Sequence, residues 1–565
     1  MLDSCTNYKL YVDRAVELGQ KAICFTEHGN IYNNIEKKMY ANSKGLKYLH
    51  GVEVYLTAAL EPKQRDNYHT ILIAKNFEGV KEINTLVDLS TQSDHMYYKP
   101  RITFDEFFNI SDNVIKISAC LASPLSKYPK SVDDVYEKIN ENNENRKNEV
   151  LLAENKKQNK ELESQWIHSY DNTDYDHGVP WAWRCTPHEA YIESIDIEIK
   201  NINNWYDDKN KKLELEVETA KQNYDKLLNT YDYYEIQPHV KFMDQIRYNK
   251  MLYEASKKYN KPLIAGTDTH SIDNYKAECR SILQKAKHIE FSNEDEFDLT
   301  YKSYDELVDM FKQQGALPMD VVLEAIENTN RMADSVTDYE LDTAFKYPIL
   351  YDNEEEVFVE RIYRMYHEKL DKGIIQPDPR YEENIKEELR VFKKIGMVGF
   401  MLFMSELVCW CWDNGIPIGF CRGSVGGSTI AYLTDIIDVN PVVWNTVFSR
   451  FANEDRKEIG DIDLDIAPSQ RHLVYEHIIE KFGADKTAYV LAIGTISDKG
   501  TIDEIGRALN MPLGDVKQVK AQYSLFTDGI TDCNDKIKKI ESIDGYENNE
   551  KFLKVFEGLK RKTIS

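Results

Sequence analysis

A chain of 565 residues holds roughly three or four domains, each long enough to bury its own core. A formal net charge of -25 excludes a uniformly basic coat, so any polyanion must be met by a local groove. Nine irregularly spaced cysteines with no CxxC pair exclude a disulfide framework, and no apolar run reaches membrane length, which predicts a cytoplasmic chain with no membrane partner.

Residues 1–130 alternate helical patterns with short apolar strands. Ala22, Ile23, Cys24 and Phe25 run into Thr26-Glu27-His28-Gly29-Asn30, and strands follow at 51–55, 70–74 and 114–120. This β-then-α rhythm predicts a parallel sheet or barrel, with polar and metal-type residues at its strand ends. Residues 131–230 are dense in Glu, Lys and Asn, with Ile195, Ile199, Ile202 and Trp205, then Leu213, Val217, Ala220 and Leu227, at helical spacing. They read as an inserted helical hairpin turning at 178–183; His177, Cys185 and His188 there match no standard zinc spacing. The barrel-like pattern resumes at 234–239 and 262–270. After 290 the chain turns helical, with Tyr381, Ile385, Leu389 and Phe392 on one stripe, and a dense apolar stretch at 397–412 leads into an acidic run. From 497 onward the pattern is helical and polar, with Lys536, Lys538 and Lys539 and then Lys560, Arg561 and Lys562.

That acidic run sets Asp461, Asp463 and Asp465 alternately with Ile462, Leu464 and Ile466. In a strand the carboxylates share one face and the aliphatics bury the other. Side-by-side carboxylates repel unless cations lie between them, and hard oxygen ligands suit Mg²⁺. Such a pair is the usual protein contribution to two-metal phosphoryl or nucleotidyl transfer; an acidic edge strand facing water carries the same pattern. Upstream lie Arg422-Gly423-Ser424 and Gly426-Gly427-Ser428, a glycine-rich loop opening a helix. Its backbone N–H groups can approach a phosphate; Arg422 adds a charged fork, and Ser424 either caps the helix or donates to an oxygen. A plain turn with an N-cap is the structural alternative.

Arg422-Gly423-Ser424 with Gly427-Ser428, then Phe448-Ser449-Arg450-Phe451, Asp461–Asp465 and Gly494-Thr495, together resemble the bacterial replicative DNA polymerase III alpha subunits, the C-family polymerases. The amino-terminal motifs around His28, Glu53, His69, Cys120, Asp268 and His270 resemble that family's PHP domain. The resemblance implies an α/β multidomain chain: a PHP domain (a distorted β/α barrel) over 1–290 with the hairpin inserted at 131–230. A nucleotidyltransferase-like α+β palm would follow over 291–495 and a helical thumb over 496–565. It implies DNA-templated synthesis, with Asp461 and Asp463 holding two Mg²⁺ ions and Asp465 shaping the strand. Gly423 and Ser424 would contact the dNTP triphosphate, with Arg422, Arg450 and Lys499 as phosphate partners. Asp3, His28, Glu53, His69, Cys120, Asp268 and His270 would be PHP metal ligands, a mixed set suiting Zn²⁺, Mn²⁺ or Fe, with Glu27 a neighbour. Primer–template DNA and replisome proteins are the implied partners.

The chain departs from the family where it lacks an initial His-x-His, which makes the PHP site incomplete. Phe420 and Cys421 replace small residues of the phosphate loop, and Gly460 stands before Asp461. The third catalytic carboxylate and the fingers fall beyond Ser565, so the expectation is a polymerase portion that needs a second polypeptide or C-terminal portion. A PHP-type phosphoesterase or 3′–5′ exonuclease, and a non-catalytic replication scaffold, are the competing readings.

Overall fold

The computed structural model describes residues 4–61, 64–171, 182–240, 242–287, 297–342, 349–419, 422–454, 461–490, 497–530, 533–543, 548–553 and 555–556; for 128–132, 163–171, 182–190 and 533–534 it describes the backbone alone. Asp3, His177, Phe420, Cys421, Gly460, Gly494, Thr495 and the run from Lys560 to Lys562 therefore lie outside the described residues, as does most of the predicted hairpin turn. Two compact units emerge, one formed by 1–340 with 496–565 and the other by 341–495.

The first unit is built on a six-stranded sheet. Its strands are β1 (Ala22–Phe25), β2 (Lys47–Thr57), β3 (Tyr68–Ala74), β4 (Met96–Tyr97), β5 (Lys99–Thr103) and β6 (Val114–Ile117). Their order is β4-β5-β2-β3-β6, with β1 also paired to β2. A second, parallel pair joins β7 (Tyr234–Ile236) to β8 (Leu263–Ala265), and a single bridge between Ile117 and Tyr233 links β6 to it. The six-stranded sheet is mixed rather than purely parallel: β1 and β5 run parallel to β2, whereas β2–β3 and β3–β6 are antiparallel. The reason is local. No helix intervenes between β2 and β3, and a short link can only return the chain antiparallel to itself.

Val52, Val54, Leu56, Leu72 and Phe107 form one core with Tyr234, Leu252, Phe311, Val322 and Ala325. The helices Tyr304–Gln314 and Met319–Ser335 thus belong to this core, and the sequence boundary at 290 falls inside the unit. Asn328 donates 2.8 Å to the Leu263 carbonyl of β8, tying the later helix to the sheet. Helices Pro124–Asp171 and Ala182–Thr230 pack against each other as a hairpin. Its register is set by a buried Asn142–Asn210 amide pair at 2.9 Å and by the Arg146–Asp207 ion pair at 2.6 Å. A polar pair in an apolar seam disfavours sliding, because a shifted register would leave both amides unsatisfied. The helices Asp498–Ala508 and Leu513–Phe526 bury Ile502, Ile505, Val516 and Val519 against one another.

In the second unit, helices Glu354–Asp371, Pro379–Ile395 and Val398–Asp413 enclose Phe358, Ile362, Ile385, Phe392, Met401 and Leu402. The middle helix begins with Asp378 capping the Arg380 amide and proline at its first position, and ends at Gly396 with φ 73°. No single described helix is long and apolar enough to cross a membrane.

Candidate metal centres

His28 follows β1 and its segment makes a parallel bridge to Glu53 of β2, with the Gly29 amide donating 2.7 Å to the Glu53 carbonyl. His69 lies on β3, where it pairs with Tyr55 of β2. Cys120 comes three residues past the β6 end, and Asp268 and His270 follow β8. The strands thus deliver these six side chains to one region. His28 Nδ1 lies 2.6 Å and His69 Nδ1 2.8 Å from the same Glu53 oxygen. Cys120 Sγ is 3.6 Å from His69 Nδ1, His270 Nε2 is 3.1 Å from Asp268, and the His28 ring lies 5.6 Å from that of His270. Ala119 and Asp268 both sit at positive φ, 61° and 47°, a conformation costly for side-chain-bearing residues.

The electrostatics of this cluster are those of an anion waiting for positive charge. Burial alone would raise Glu53, yet the His69 and His28 imidazoles outweigh it and hold the carboxyl well below its usual range. Burial likewise opposes ionisation of Asp268, and its hydrogen bond to His270 wins, lowering it. Burial pushes the Cys120 thiol well up. Ligand atoms of His28, Glu53 and His69 all lie within 4.8 Å of one another, so the three can close on one cation. Glu27 is paired with the buried Lys37. Sequence reading missed Glu235 on β7. It is fully buried beside Gly266, its carboxyl pushed up to about 8 by burial, and it accepts 2.7 Å from Gln237. A lone acid between Tyr234 and Ile236 in an apolar strand was the available signal.

The second site lies within the other unit. The 461–465 segment is extended but is not a ladder strand; among the described residues its one bridge, Ile418 to Ile466, is reinforced by the Gly419 amide donating 2.9 Å to the Asp465 carbonyl. Gly423 sits at φ 79°, in the left-handed region, at the entry to the loop. The side-chain alternation nevertheless holds. Ile462 and Leu464 pack on the core while Asp461, Asp463 and Asp465 are exposed. A methyl group placed on Gly423 would lie 3.8 Å from an Asp463 carboxylate oxygen, so the glycine loop and the acidic segment are direct neighbours. Arg422 pairs with Asp465 at 3.1 Å in water. Exposed, hard oxygen donors beside a glycine turn suit a hydrated Mg²⁺ ion.

The loop itself is a tight turn, Ser424–Gly427, followed by the short helix Thr429–Leu433. Ser428, not Ser424, caps that helix by accepting from the Ala431 amide, because Ser424 is already inside the preceding turn. Arg450 ends the neighbouring turn Phe448–Arg450, and Thr446 of that segment donates 3.1 Å to the Gly426 carbonyl. Lys499 lies on helix Asp498–Ala508 of the first unit. Sequence reading also missed Glu388. The buried face of its helix is Tyr381, Ile385, Glu388 and Phe392, so an acid on an apolar stripe was the visible sign.

Residues 1–165 match the PHP domain, and residues 356–564 match the bacterial DNA polymerase III alpha NTPase domain. Among similar curated proteins is the DNA polymerase III subunit alpha of Aquifex aeolicus, 26% identical over 91% of this chain and 39% of that protein. That of Borreliella burgdorferi is 25% identical over 92% of this chain and 39% of its own length. That of Campylobacter jejuni is 24% identical over 99% of this chain and 43% of its own length. The chain therefore spans about two fifths of the length of these relatives.

Proposed function

We propose that this chain, which is similar to the bacterial DNA polymerase III alpha subunits and matches their NTPase domain and a PHP domain, takes part in template-directed DNA synthesis. The reaction is nucleotidyl transfer from a dNTP to a primer 3′ hydroxyl, carried out in the cytoplasm with replisome proteins and with the polymerase parts that the relatives have and this chain does not span. Its PHP region takes the distorted barrel form, 341–495 contributes to a palm, and the last helices act as a thumb.

Asp461 and Asp463 would hold two Mg²⁺ ions at the exposed edge of the extended segment, and the chemistry those ions would supply is activation of the hydroxyl and neutralisation of the leaving pyrophosphate. Gly423, lacking a side chain, lets the triphosphate approach its backbone, and Ser424 donates to a phosphate oxygen. Arg422 exchanges Asp465 for phosphate, at small cost because that ion pair is solvated, and Arg450 adds charge from the adjacent turn. The observation that carries this reading is the 3.8 Å approach of the Gly423 position to the Asp463 carboxylate. Primer extension with Mg²⁺, measured on the chain in its natural assembly, should fall steeply on Asp463→Asn; unchanged extension refutes the reading.

The His28–Glu53–His69 cluster favours a second activity, Zn²⁺- or Mn²⁺-dependent phosphoester cleavage, with Cys120, Asp268, His270 and Asp3 as further ligands. Nucleotide release from a DNA 3′ end should then need His28 and Asp268 and survive Asp463→Ala. Loss of both reactions on Asp463→Ala alone would remove the PHP region from the chemistry.

A further inference from the structure

The helix that follows the glycine loop has its first amides already taken. Glu388, from helix Pro379–Ile395, is 2% exposed, and its two oxygens divide the donors between them. One accepts the Thr429 amide at 2.7 Å; the other accepts the Ser428 hydroxyl at 2.6 Å and the Ile430 amide at 3.0 Å. Ser428 in turn receives the Ala431 amide at 3.1 Å. One helical turn earlier, Asn384 donates 2.9 Å to the Thr429 hydroxyl. On its other side the loop is pressed against 446–448: a methyl group on Gly427 would lie 2.5 Å from the Val447 carbonyl oxygen.

An anion at a helix start normally uses those first amides. Here a protein carboxylate fills that position from inside, so an incoming phosphate cannot. What remains for a triphosphate is the preceding turn, 423–427, whose trailing end Glu388 anchors. A buried carboxylate has few ways to be satisfied, and three convergent donors leave it one geometry. We propose that Glu388 is a positioning residue for the triphosphate: it occupies the start of helix Thr429–Leu433 and so sets the Gly423–Gly427 turn as the phosphate seat. This rests on the nucleotide-binding reading of that loop.

The glutamine variant is the informative one, since it keeps size while replacing one acceptor oxygen with an amide that faces backbone N–H donors. Binding of dATP and of dAMP, each with Mg²⁺ at pH 8, is measured on the full chain alongside amide exchange. Glu388→Gln should weaken dATP about tenfold and leave dAMP within about twofold. It should speed exchange in 423–430, with helix Val398–Asp413 exchanging as in the parent. Equal weakening of both ligands, or dATP affinity unchanged, overturns the proposal. If the core helix also exchanges faster, Ser428→Ala, which takes one donor from the carboxylate together with the cap acceptor of the Ala431 amide, decides by the same dATP-to-dAMP comparison. Parent protein that binds dATP independently of Asp463 sinks the underlying reading instead, and Asp463→Asn is run alongside to tell the two failures apart.

Discussion

The two candidate centres hold their carboxylates in opposite ways. Glu53 is buried on a central strand, flanked within hydrogen-bond distance by two imidazoles that keep it ionised. Asp461 and Asp463 stand exposed on a segment with a single bridge, beside a glycine turn. A buried cluster must be assembled before its metal arrives, because an unpaired charge in the interior is costly. An exposed pair has no such demand and can wait in water for ions that arrive with a triphosphate. On the proposed reading, the first centre would hold a resident ion and the second would take ions that come and go with substrate.

That contrast can be broken most forcefully at the exposed pair. Asp463→Asn should cut primer extension by ~10²–10³-fold, the scale for losing one group that meets developing charge. Its melting temperature should stay close to the parent, since an exposed carboxylate supports little of the fold. At the buried centre, Glu53→Ala should lower Mn²⁺ affinity by at least the ~10–100-fold seen for outer partners of a metal, and equilibrium dialysis measures it. If Glu53→Ala leaves Mn²⁺ binding intact, the preorganised half of the comparison fails.

Glu388 sharpens the comparison through pH. Burial raises its carboxyl to about 7, and its hydrogen bonds only partly oppose this. A carboxyl raised on folding binds more protons in the folded state between its unfolded value, about 4.3, and 7. Stability therefore falls as pH rises through that window, by on the order of 2–3 kcal/mol in this unit, and denaturant melts at pH 5 and 7.5 should show it. The slope should flatten in Glu388→Gln.

Two smaller effects complete the series. Gly427→Ala forces a methyl group against the Val447 carbonyl, 2.5 Å away, and should cost about 1–3 kcal/mol by overpacking. Arg422→Ala removes an ion pair whose partners are 66% and 62% exposed, and its effect on thermal stability should stay within about 0.5 kcal/mol.

The ligand-type residues of the first centre were readable because each stands at a strand or just beyond one, and short apolar strands are visible as runs. The pairing of those strands was not, since β2 is buried along nearly its whole length and its sequence does not say which neighbour runs antiparallel. The Asp–aliphatic alternation announced the exposure pattern of 461–465 but not its lack of a ladder among the described residues, which depends on a partner segment forty residues distant. Glu388 and Glu235 were passed over because an acid inside an apolar stripe has meaning only once its partners are known. For Glu388 those partners are three donors on a loop reached from another helix.

The most direct test of the exposed centre is a crystal soaked with Mn²⁺ and dATP. The account predicts anomalous density at the carboxylates of Asp461 and Asp463, with the triphosphate lying along Gly423 and Ser424. Manganese bound only at the histidine cluster, with the nucleotide elsewhere or absent, would contradict it.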